Sequence, residues 1–130
     1  MHIGWSIDTA RRRLIIRVPE RMTGSAVARA VAGRWRSRPA LASYDLIYNL
    51  LRFEGDAQNA DVQTVKGVYD RLPRDPGMKY TVFVTKDPHF GLWAETMDHQ
   101  FEDRRHWVAD TQLEAEILLD RMRGFIKLAG

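Results

Sequence analysis

The stretch that most constrains this chain is "YDLIYNLL", Tyr44 to Leu51. A strand sends successive side chains to opposite faces, so a half-solvated strand shows apolar and polar residues by turns. Here both alternating sets are apolar apart from Asp45 and Asn49. A strand of that kind is central in its sheet and covered above and below. It needs helices on both sides, and the flanking sequence supplies them.

Before it, "HIGWSID" and "RRLIIRV", joined by "TAR", predict a hairpin with Asp8 in the turn. "MTGSAVARAVAGRWRSRP" predicts a helix capped by Thr23 or Ser25, with Val27, Ala30, Val31 and Trp35 on its inner stripe, ended by Pro39. After the central strand, "ADVQTVKGVYDRL" carries Val62, Val65, Val68, Tyr69 and Leu72 at helical spacing and stops at Pro73. "MKYTVFVT" predicts a strand with Tyr80, Val82 and Val84 on one side and Thr81, Phe83 and Thr85 on the other.

Asp87 then reads as an N-cap and Pro88 as a first helical position, with a short helix running from about Phe90 to His99. "RRHWVAD" reads as a last strand, placed near an edge by its arginines. Thr111 and Glu114 spell a capping box, and Leu113, Ile117, Met122 and Phe125 are expected on the inner face of the final helix. The order β-β-α-β-α-β-α-β-α defines an α/β fold. It is a mixed sheet of four to five strands with about four helices, the later strands mostly parallel.

The 130 residues fit one domain, and an apolar fraction of 45% with 28% charged residues is that of an ordinary globular protein. The chain has no cysteine, which excludes disulfides and thiolate metal sites and suits a reducing cytoplasm. "MHIGWSIDTARRR" has no apolar core of a secretory signal, and no apolar run approaches the roughly 18 residues of a membrane span. A cytoplasmic protein is expected.

Charge is divided unevenly. Residues 1–52 hold ten arginines against three acids, whereas residues 53–130 hold ten basic against fourteen acidic side chains. Either the fold interleaves the halves, or they pair between copies or attract an acidic partner.

No catalytic signature is present. The four histidines His2, His89, His99 and His106 lack metal-ligand spacing, no serine sits in G-x-S-x-G, and neither common phosphate-binding glycine motif occurs. A non-enzymatic protein without a cofactor is expected. "GRWRSRP" sets Trp35 among arginines but ends a helix, where cations offset the carbonyl dipole, so no specific nucleic-acid contact is read from it.

The best candidate site is "KDPHFGLWAE", which follows the C-terminal end of a strand, where open α/β sheets bind ligands. Asp87, His89, Phe90 and Trp93 would line an apolar pocket there, with Asn49, Arg52 and Thr85 as polar anchors. Asp45 and Asn49 share a strand face, and each needs a partner if buried. Either both fasten neighbouring elements, or Asn49 faces the site.

The chain resembles the SpoIIAA-like proteins, a bacterial group related to STAS domains and grouped with lipid-binding CRAL-TRIO domains. The resemblance spans nearly the whole chain, through "GWSID…RRLIIRV", "YDLIYNLLRFEG", "KYTVFVTKDPHFGLWAE" and "HWVADTQLEAEILL". It implies a binding or regulatory domain that engages a protein partner, associates with itself, or carries a small apolar ligand or lipid. STAS antagonists present a phosphorylatable Ser or Thr in the turn after the central strand. Here that turn, "RFEGDAQNA", contains no hydroxyl, and Thr64 lies inside the next helix. Glu54 and Asp56 are either permanent charges in its place or ordinary loop acids.

Overall fold

The structure is a computed structural model and describes residues 2–125. Five strands form one sheet: β1 (Gly4–Asp8), β2 (Arg13–Arg17), β3 (Asp45–Asn49), β4 (Lys79–Val84) and β5 (Arg104–Ala109). Four α-helices alternate with the later strands: α1 (Gly24–Ser37), α2 (Asn59–Tyr69), α3 (Phe90–Gln100) and α4 (Gln112–Met122). A 3-10 turn, Pro39–Ser43, follows α1. The fold is therefore the expected mixed α/β sheet, β1 pairing antiparallel with β2 and every later pair parallel.

Spatial order follows chain order, from β1 at one edge to β5 at the other. Parallel crossovers of one hand that advance in one direction place their helices on one face. The main core accordingly joins Val27, Val31 and Trp35 of α1, Val62, Val68 and Tyr69 of α2 and Phe90 of α3 to Leu14, Ile16, Leu46 and Phe83 of the sheet. The opposite face belongs to α4, where Ala115 and Leu119 cover Ile47, Val82 and Val84. Leu46 and Ile47 are both fully buried, so β3 is indeed sheathed on its two sides.

The polar residues of β3 secure α4 at both ends. Arg123, at the helix C-terminus, donates from Nε to Asp45 Oδ2 (2.7 Å) and from Nη2 to Asp45 Oδ1 (2.6 Å). Asp45 Oδ1 also accepts the Tyr80 N–H at 3.0 Å. At the other end Asn49 Nδ2 donates to Gln112 Oε1 at 3.0 Å. Of the two readings of this pair, both residues fasten neighbouring elements.

Three expectations need correction. Leu113 is 67% exposed and Phe125 is exposed too, because α4 turns Ala115 and Leu119 to the sheet and leaves Ile117 and Met122 half-buried. Ala30 is likewise only half-buried, and Ala28 and Ala32 fill the inner stripe of α1 instead. Finally, Asp87 accepts the His89 N–H at 3.0 Å and caps a turn that includes Pro88, not the helix itself, which starts at Phe90 as expected.

The unequal charges are interleaved within the chain: Arg12 pairs with Asp75, and Arg13 with Asp120 at 2.8 Å. The turn "RFEGDAQNA" packs on the start of α1. A side chain at Gly24 would clash with the Asp56 carbonyl, and one at Gly55 would meet the Met22 carbonyl at 2.8 Å. Asp61 accepts the Gln58 N–H at 3.0 Å as α2 begins, and the Thr64 hydroxyl donates back to the Ala60 carbonyl at 3.1 Å.

Candidate functional site

Between the sheet and the three-helix layer lies a cavity of about 100 Å³. Its floor is built by alternate residues of β3 and β4, namely Leu46, Tyr48, Thr81 and Phe83. Val27, Ala28 and Val31 of α1 and Val62 and Val65 of α2 form the roof, and Phe90 and Met97 of α3 close one side. The inner faces of α1 and α2 carry mainly Ala and Val, whose short side chains leave a gap that Leu or Phe would fill. Val65 and Met97 are half-buried, and the cavity meets solvent along them.

The wall toward β5 is polar. Arg104 reads as an edge-strand charge in the sequence but is 1% exposed, because the strand's alternation turns it inward and Arg105 outward. Its Nη2 donates to the carbonyls of Ala42 and Tyr44, both at 2.9 Å, and its Nη1 to Thr81 Oγ1 at 3.2 Å. Its guanidinium carbon lies 5.2 Å from the centre of the Tyr69 ring. Tyr48, on the floor, has its pKa pushed up to about 12, chiefly by burial against a smaller opposing effect of the Arg104 charge.

His106 stacks on Phe83 with ring centres 6.0 Å apart, and its Nδ1 lies 3.0 Å from Asp98 Oδ1. Burial lowers its pKa to about 4, the Asp98 hydrogen bond opposing and the Arg104 charge assisting. The ring is therefore neutral at pH 7, with Nδ1–H donating to Asp98. A histidine whose folded pKa lies below its unfolded value of 6.5 is protonated first in the unfolded chain, so stability falls as pH drops from about 6.5 to about 4. Urea titrations across that window should show the loss, approaching one proton taken up per molecule unfolded at its middle. His106→Phe should remove most of this slope; an unchanged slope would show that other groups cause it.

The residues singled out in the sequence do not converge on this cavity. Phe90 lines it, whereas Trp93 is half-buried one turn further along α3. Asn49 faces α4 on the opposite side of the sheet. Thr85 is buried just beyond β4 and accepts the Asp87 N–H at 3.1 Å, while Arg52, Asp87 and His89 are exposed. Arg104, His106, Trp35 and Tyr48 were missed as site residues. The one available signal was the inward phase of Arg104 in a strand whose alternate positions should be apolar.

Among the described residues no three His, Asp or Glu side chains are grouped to hold a metal ion, and no helix is long and apolar enough to cross a membrane. No protein-family model matches the chain, and no curated protein matches it.

Proposed function

We propose that this chain is a non-enzymatic binding domain of the SpoIIAA-like, STAS-related type that holds a small apolar ligand between its sheet and its three-helix layer. The cavity roofed by Val and Ala carries this reading, since apolar pockets with few polar groups are the usual form of small-molecule sites. The resemblance to a class grouped with lipid-carrying CRAL-TRIO domains supports it. The hydroxyl-free turn after β3 favours ligand occupancy over phosphorylation as the controlling event.

Benzene is a suitable neutral probe, because a closed apolar cavity of about 150 Å³ accepts it and this one opens on one side. At tenfold its dissociation constant it should raise the unfolding free energy by about 1.4 kcal/mol, measured by urea titration. Ala28→Leu, which fills the roof, should abolish that gain. Wild-type protein unmoved by benzene at its solubility limit would remove the reading.

A further inference from the structure

Among the described residues three cationic side chains are almost wholly buried, and two of them have a carboxylate. Arg13 pairs with Asp120 at 2.8 Å and Lys79 with Asp103 at 3.3 Å. Arg104 makes no ion pair among the described residues; its bonds go to neutral carbonyl and hydroxyl oxygens. A buried charge is normally neutralised by an opposite charge, because removal from water is costly without one. Arg104 also retains a buried Nε–H with no acceptor.

A second unpartnered donor lines the same cavity. The indole Nε1–H of Trp35 is buried and has no acceptor among the described residues; the residue is 1% exposed and its ring packs 5.3 Å from Tyr69. Arg104 and Trp35 thus flank the same tyrosine ring, and both line the cavity. A buried tryptophan normally finds an acceptor for its N–H. Here two donors and one unbalanced positive charge border an otherwise apolar chamber.

We infer that the ligand is a small apolar monocarboxylate, its carboxylate held at Arg104 and Trp35 and its hydrocarbon tail under Val27, Ala28 and Val62. This rests on the cavity being a ligand site, as proposed above. The volume of about 100 Å³ is below the roughly 150 Å³ that encloses benzene, which limits the buried tail to a short, branched or cyclic group.

Isovalerate and its neutral amide, isovaleramide, share shape and differ in charge, and binding of each is read by calorimetry at pH 7. Isovalerate should bind at least tenfold more tightly than isovaleramide. Arg104→Met should erase that preference, isovaleramide serving as the reference in the same variant. Trp35→Phe keeps an aromatic ring and removes the donor; it should weaken isovalerate several-fold more than isovaleramide, and it serves if Arg104→Met fails to fold. Benzene binding with no preference for isovalerate would overturn the carboxylate assignment and leave the apolar site standing. Failure of all three probes would remove both. A preference that survives in both variants would place the anion elsewhere and overturn the inference.

Discussion

Arg123→Ala should lower the unfolding free energy by about 2 kcal/mol, between the cost of breaking a solvated ion pair and that of a buried one, because Asp45 is buried while the Arg123 side chain is 32% exposed. Asp45 is 2% exposed, and Arg123 makes both of its short charged contacts. Its guanidinium also lies over the Tyr80 ring at 4.6 Å and donates to the Met78 carbonyl at 2.9 Å. The Asp45 hydrogen bonds raise the pKa of Arg123. Without the arginine, the Asp45 carboxylate keeps only the Tyr80 N–H. Urea unfolding would show the loss as a shift of midpoint with unchanged slope. Adding Asp45→Asn should recover part of the stability, because no charge is then left behind. A loss below about 1 kcal/mol would mean that the pair behaves like a solvated one.

Tyr69→Ala should cost about 4 kcal/mol or more, at the upper end for removing a buried aromatic ring. Tyr69 is fully buried and packs at 5.3 Å from both Trp35 and Phe101. Arg74 lies 3.9 Å from its ring centre. Its hydroxyl donates to Asp103 at 2.9 Å, and Asp103 also accepts from Arg74 at 2.7 Å. Burial alone would raise the Asp103 pKa, but these hydrogen bonds outweigh it and hold the group below its ordinary value. Tyr69→Phe keeps the ring and removes one bond of several, so it should cost only about 1 kcal/mol. Equal losses for the two variants would show that the hydroxyl, not the ring, carries the stability.

The sequence displays what depends on local period and leaves out what depends on distant pairing. The two-sided apolar character of Tyr44–Leu51 was enough to make β3 central, and Thr111 with Glu114 marked the start of α4, where Thr111 accepts the Glu114 N–H at 3.1 Å. The need of Asp45 for a partner was also legible. Its partner was not, because Arg123 lies far along the chain and arginines are common throughout it. The stripe of α4 was misjudged because Leu113 is apolar yet exposed, the sheet-facing positions being those of Ala115 and Leu119, and hydrophobicity alone does not determine which way a residue points. The cavity was invisible for a related reason. It arises from what Ala and Val fail to fill between two layers, and a list of residues does not show the distance between layers.

The left-to-right order of the sheet bears on how the chain reaches its native state. Each parallel pairing joins ribbons that are consecutive in sequence, so no strand has to be threaded between two already joined. Closing each crossover costs only the entropy of one intervening segment, and that cost grows slowly with length. Assembly can therefore run from the hairpin outward in the direction of synthesis, each ribbon offering its free edge to the next. The last helix is the exception. Its clamps at Asp45 and Asn49 reach back to the middle of the chain, so it docks on a strand that precedes it by two crossovers.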